Sequence, residues 1–191
     1  TAGTDMHYQI ECFMNNPNLQ INYTHKDLYE NYMMNNKETH GATSLEWQYF
    51  IEFIKETPNL KPYRTEWMVY DEDLKLAGSI DMVYENPDGS LCIYDWKRAK
   101  EITKTNGFNK YAINSCIEHL PDTNFWHYSL QLNTYKAILE EKYGEKVKDL
   151  YLVCLHPDNK NKNYQRIKVS DLQEEVKDLF NLRKKQIANN A

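Results

Sequence analysis

Asp95-Trp96-Lys97 closes a stretch, Leu91 to Trp96, that reads as a β-strand. Alternate side chains of a strand share a face, so Asp95 and Lys97 point the same way, with Leu91 and Ile93. The turn sequence Asn86-Pro87-Asp88-Gly89 joins this strand to an earlier one that carries Asp81. The hairpin therefore gathers two carboxylates and an ammonium group at the end of an apolar face. Like charges buried together repel, and a bound cation normally compensates them. Two carboxylates and a nearby carbonyl oxygen form a hard-oxygen site suited to Mg²⁺ or Mn²⁺. A lysine beside such an ion can orient or help deprotonate an attacking water. The triplet alone decides little, because acid-x-Lys occurs five times, at Asp73, Asp95, Glu140, Asp158 and Glu175. The others fall in predicted turns or on helix surfaces. Asp95 differs by its place at a strand end, opposite Asp81. Spacing alone leaves a metal site and a surface ion pair as equal readings.

The elements that must hold these groups can be read along the chain. Thr4 is a candidate N-cap, with Asp5 at the positive end of a helix over 5–15. Asn15-Asn16-Pro17-Asn18 breaks it, and a second helix is expected at 25–36. A third, at 44–56, shows Trp47, Phe50, Ile51 and Ile54 at helical spacing and ends at Pro58 and Pro62. The period then changes. Arg64–Tyr70, Leu74–Tyr84 and Leu91–Trp96 form an expected antiparallel meander. After a basic stretch, a weak helix near 109–119 and the breaker Pro121-Asp122, a strong helix covers 125–143. Its stripe is Tyr128, Leu132, Tyr135 and Leu139. Leu150–Leu155 reads as a buried strand and Tyr164–Val169 as an outer one. Ser170 with Gln173 suggests a capping box opening a last helix, 171–187. The sum is one α/β domain over residues 1–191, with a central mixed sheet flanked by helices. The start on Thr1, without an initiator Met, leads us to expect a missing N-terminal segment.

Composition narrows the function classes. With 23 basic and 28 acidic residues the formal charge is −5, which excludes a polybasic binder that holds nucleic acid by bulk charge. Mean hydropathy is −0.81 and no apolar run is long enough to span a membrane. Cys12, Cys92, Cys116 and Cys154 are scattered without metal-cluster spacing, so no iron–sulfur cluster is expected and a reduced, intracellular setting fits.

Further motifs surround the triplet in order. Gly3-Thr4-Asp5-Met6-His7 opens the chain, Gly78-Ser79-Ile80-Asp81 precedes the hairpin turn, and Gln131-Leu132-Asn133-Thr134-Tyr135 follows on the strong helix. Together with Asp95-Trp96-Lys97 this set resembles the PD-(D/E)XK nuclease superfamily, in particular its RecB-like exonuclease branch. The resemblance covers roughly residues 1–140. It implies a restriction-endonuclease-like core and hydrolysis of DNA phosphodiester bonds by metal-activated water, with one or two Mg²⁺ or Mn²⁺ ions. It further implies that His7, Asp81 and Asp95 ligate metal, with the backbone carbonyl of Trp96. Lys97 would position the nucleophile, Glu66 would be a second-tier acid, and Gln131 and Tyr135 would contact the nucleic-acid backbone or brace the site. The cysteines do not match the cluster-bearing subgroup. No Walker loop is present, so a helicase motor, or another replication or repair partner, would lie outside this segment.

Plainer readings stand beside these. His7 could be a surface histidine and Tyr135 a core tyrosine of its own stripe. His25, His40, His119, His127 and His156 show no mutual spacing of a site. Lys97, Arg98, Lys100, Lys104 and Lys110 form a basic run that could track phosphates, with Arg98 and Lys100 beside the triplet, or be a solvated loop. Trp96, Phe108, Tyr111, Phe125 and Trp126 could stack on bases or fill the core. Two other functions remain: an RNA-cleaving endonuclease of the same fold, and a non-catalytic nucleic-acid-binding module of a larger repair or replication protein. The expected setting is the cytoplasm, the nucleus or a replication compartment.

Overall fold

The computed structural model describes residues 1–15, 22–36, 43–104, 116–117 and 119–190. The break at Asn16-Pro17-Asn18, most of the weak helix near 109–119, and His40, Phe108, Lys110 and Tyr111 lie outside them. Helices α1 (Ala2–Met14), α2 (His25–Asn35) and α3 (Leu45–Glu56) come first. Strands β1 (Pro62–Asp71), β2 (Leu76–Glu85) and β3 (Leu91–Lys97) follow, then α4 (Asn124–Lys142), β4 (Val147–Cys154), β5 (Gln165–Lys168) and α5 (Gln173–Asn189).

The strands form one five-stranded sheet in sequential order. The expected meander is present: β1 pairs with β2 and β2 with β3, both antiparallel. A parallel neighbour requires a crossover, and α4 provides it between β3 and β4. The sheet is therefore mixed and has helices on both faces, as the sequence indicates. On one face Met6, Ile10 and Met14 of α1, Leu28 of α2 and Phe50, Phe53 and Ile54 of α3 pack on Met82, Tyr84, Tyr94 and Trp96. On the other, Phe125, Leu132, Ile138 and Leu139 of α4 and Val176 and Phe180 of α5 pack on Val69, Ile80, Ile93 and Leu152. Alternate residues of β3 serve the two cores: Leu91 and Ile93 face α4, while Cys92, Tyr94 and Trp96 face α1–α3.

Two helix starts differ from expectation. The α1 cap is Thr1, whose hydroxyl accepts from the Thr4 amide at 3.2 Å, so Thr4 lies inside the helix. The Ser170–Gln173 capping box does not form. Gln173 instead donates its side-chain amide to the carbonyl and Oδ1 of Asn133, at 3.0 and 2.9 Å. Asn133 is fully buried, and it also donates to the Ser129 and Ser170 carbonyls and accepts from the Leu172 amide. A buried side-chain amide must find partners for all its groups, and Asn133 finds them by tying α4 to the start of α5.

His25 is a buried core histidine, and its tautomer follows from its neighbours. The Thr57 hydroxyl already donates to the Phe53 carbonyl, so it accepts from His25 Nδ1 at 2.9 Å. Nε2 is then the acceptor for the Tyr84 hydroxyl at 2.8 Å. Burial pushes the His25 pKa down to about 3. An unfolded chain binds a proton here below about pH 6.5 that the folded chain refuses. His25 therefore leaves stability intact above that pH and lowers it as pH falls towards 3. Urea unfolding at pH 7.5 and pH 5.5 is expected to show a loss about 1.4 kcal/mol greater in the wild type than in His25→Gln. Equal losses in the two proteins would refute this account.

Candidate active site

The sheet opens where the carboxylates meet. On β2, Ile80 belongs to the α4-side core, yet Met82 faces α1–α3 and Val83 returns to the α4 side. A regular strand would put Ile80 and Met82 on one face. The irregularity falls on Asp81. Across the ladder, Thr65 pairs with Met82 and Trp67 with Ile80, and Glu66 between them has φ 43°. A non-glycine residue there costs roughly 1–2 kcal/mol. On the other side, β2 and β3 pair as far as Met82–Tyr94. Beyond that pair the Trp96 amide donates to Asp81 Oδ2 at 3.0 Å, so a side chain replaces the next rung. Asp81 thus sits in a fork between strands.

His7 reaches the fork from α1. Its Nδ1 is 2.7 Å from the Gly3 carbonyl and its Nε2 is 3.1 Å from Asp81 Oδ2. Both partners accept, so both ring nitrogens donate and the ring is an imidazolium. The hydrogen bond to Asp81 outweighs burial and lifts His7 to about 9. Burial acts to raise Asp81, but hydrogen bonds from His7, Asp95 and the Trp96 amide hold it below the usual carboxylate range. Asp95 shows the opposite balance. Burial and then the Asp81 charge push it up to about 7, against the pull of Lys97. Lys97 Nζ lies 2.7 Å from Asp95 Oδ2, but off the axis of a hydrogen bond, and this buried oxygen has no aligned donor.

The remaining predicted residues lie around this centre. Glu66 is half-buried, accepts from Ser79 Oγ at 3.2 Å, and is raised by burial and by the Asp81 charge. Tyr135 is buried under the α4-side core, and burial and the charges of Asp95 and Asp81 raise its pKa, while Gln131 hydrogen-bonds to it. The core and site readings of Tyr135 both describe its position. Its ring lies against Gly78, where an added Cβ would be 2.4 Å from Tyr135 Cε1. Arg98 turns away and pairs with Glu46 of α3 at 2.6 Å. Lys100 is exposed, on a cavity of about 400 Å³ shared with Asp158, Lys160 and Gln165. Phe125 is a core residue, and the Trp126 indole donates to the Lys104 carbonyl at 2.9 Å.

Two neighbours escape sequence reading. Glu46 caps no motif, and only its place in the first turn of α3 hints at a role. Tyr128 lies under Lys97, whose Nζ is 4.2 Å from the ring centroid. Its helical offset from Gln131 and Tyr135, three and seven residues, marks it as sharing their face.

A family model described as the PD-(D/E)XK nuclease superfamily matches residues 17–190. The chain belongs to the PD-(D/E)XK nuclease superfamily. The matched span holds Asp81, Asp95, Lys97, Gln131 and Tyr135; His7 precedes it and is related to the site by its contact with Asp81. The chain is also similar in structure to a protein from Eubacterium rectale named "putative exonuclease", with 10% sequence identity and a TM-score of 0.47. The similarity covers 99% of this chain and 66% of that one, so the chain spans just under two thirds of that protein's length. No curated protein matches the sequence significantly.

Members of this superfamily use divalent metal ions. Among the described residues, no three His, Cys, Asp or Glu side chains are already gathered in metal-binding geometry. The donor set of the fork fits such an ion in its chemistry. It offers two adjoining carboxyls, a buried carboxyl oxygen without an aligned donor, and an imidazole whose Nδ1 is fixed by a carbonyl. That Nδ1–H contact leaves Nε2 to ligate once its proton is shed.

Proposed function

We propose that the chain is a divalent-metal-dependent deoxyribonuclease, an exonuclease of the RecB-like branch acting at DNA ends. The observation that carries this reading is the fork itself, where Asp81, Asp95 and Lys97 meet on buried backbone that the ladder has released. His7, Asp81, Asp95 and the carbonyl of Trp96 would hold Mg²⁺ or Mn²⁺. When bound, that ion supplies Lewis-acid polarisation of the phosphate and a more acidic water.

The chain's own groups do the rest. Lys97 holds its ammonium beside Asp95, where it can orient the attacking water and offset charge growing on the phosphate. Glu66 lines the approach to Asp81. Tyr135, braced by Gln131, closes the α4 side and excludes bulk water. Lys100 and Gln131 are exposed and can meet phosphate oxygens, Gln131 by way of the amide that also bonds Tyr135, and Arg98 can do so by leaving Glu46. No helix among the described residues is long and apolar enough to cross a membrane. We place the protein inside the cell, with a strand-opening helicase, or another replication or repair factor, lying outside this segment.

End-labelled DNA incubated with the purified protein and Mn²⁺ or Mg²⁺ is expected to be shortened from its ends. Asp95→Ala and Lys97→Ala should abolish this, as should chelation. A matched RNA cut faster than DNA would move the assignment to an RNA endonuclease. Salt-sensitive binding without cleavage in either metal would leave a non-catalytic module.

A further inference from the structure

Lys97 is the one charged group of the fork that could easily leave it. Its side chain has four rotatable bonds and is one-fifth exposed. The contact with Asp95 is short but poorly aligned, and so directs the ammonium weakly. What limits the ammonium on its other side is the face of Tyr128, 4.2 Å from Nζ to the ring centroid. An aromatic face attracts a cation through its quadrupole, most strongly where water is scarce. Tyr128 is itself half-buried against the α4-side core, so its ring is anchored. It stands on the same rigid helix as Gln131 and Tyr135, which fixes the ring relative to both carboxylates.

We infer that Tyr128 is a positioning residue for the reaction: its ring and the Asp95 carboxylate together form the seat that keeps the Lys97 ammonium at the fork. This inference rests on the nuclease reading above and adds to it a group outside the four sequence motifs. The ring does this work and the hydroxyl does not, because the contact is to the centroid. A hydrophobic side chain of similar size would fill the space but leave Nζ free to swing into solvent.

Three substitutions separate these contributions. Tyr128→Phe keeps the face and is expected to retain kcat within about twofold. Tyr128→Leu removes it and should lower kcat about 10- to 30-fold with KM little changed, the rate equivalent of a partly desolvated cation–π contact. Tyr128→Gln, a good helix former at a half-exposed position, should do the same if the leucine variant folds poorly. A residue that only supported the fold would lower thermal stability in both variants but leave the kcat of the folded protein unchanged. The second readout needs no activity. In the wild type and Tyr128→Phe the ε-methylene protons of Lys97 should show an upfield ring-current shift by NMR, assigned by its loss in Lys97→Arg. The shift should vanish in Tyr128→Leu and Tyr128→Gln.

Full kcat in folded Tyr128→Leu or Tyr128→Gln, or an unshifted Lys97 methylene in the wild type, would overturn the inference. An inactive wild-type protein with the shift intact would instead overturn the nuclease reading and leave the lysine seat standing.

Discussion

Asp95→Asn is expected to yield a protein that folds better than the wild type and no longer cuts DNA. Rates should fall on the order of 10³-fold or more, since the substitution removes a proposed metal ligand and the partner of Lys97 together. The stability gain has a defined sign. Without metal, Asp95 keeps its proton in the folded state up to about pH 7, whereas an unfolded chain loses it near the ordinary value of 3.8. Between these values the folded state binds the extra proton, so its stability falls as pH rises. Asparagine is close in shape to the protonated acid and removes this loss. Urea melts in the presence of a chelator should therefore show a gain at pH 8 and little difference at pH 4. Mn²⁺ should raise the melting temperature of the wild type by mass action and leave that of Asp95→Asn nearly unchanged. Hydrolysis within tenfold of wild type would remove Asp95 from the reaction.

The second large effect is expected at Gly78, a position with no reactive group. Any Cβ there falls 2.4 Å from Cε1 of Tyr135 and 3.2 Å from its Cζ and Oη. The ring has nowhere to retreat, because it is 9% exposed and packed into the α4-side core. Gly78→Val should thus cost about 1–3 kcal/mol of stability through overpacking. It should also lower the rate about 10²-fold by displacing the ring and the Gln131 that bonds to it. The Gly78→Val/Tyr135→Ala double variant should lose less stability than the sum of the two single losses and stay inactive, a non-additivity that identifies the clash as the cause. Strictly additive losses in stability would show that Gly78 acts by another route. This contact also gives a physical link between two motifs more than fifty residues apart: glycine in one makes room for tyrosine in the other.

Much of the arrangement was legible before the fold was known, and the reasons are local. Period-two spacing from Leu91 puts Asp95 and Lys97 on the α4 side, where Leu91 and Ile93 indeed lie. The Asn86–Gly89 turn fixes the hairpin, and the alternation of helix and strand gives the mixed sheet. What period and propensity do not carry is the break at Asp81. A regular strand would place Ile80 and Met82 together, and nothing about Glu66 announces a positive φ. Similarly, Gln173 has the spacing of a cap residue, but Asn133, forty positions away in sequence, takes its amide first. Tyr128 reads as one member of an apolar stripe until the end of β3 is laid over it. In each case the deciding contact is tertiary, and sequence spacing sees only neighbours along the chain.

The missing rung between β2 and β3 has a practical consequence. The Trp96 amide proton is bonded to the very oxygen that also takes His7, in the interior of a sheet where exchange with water is slow. Its chemical shift and exchange rate therefore register the charge on Asp81 directly. One backbone signal, followed during titration with cations or nucleotides, would report occupancy of the fork in an intact, unlabelled substrate complex.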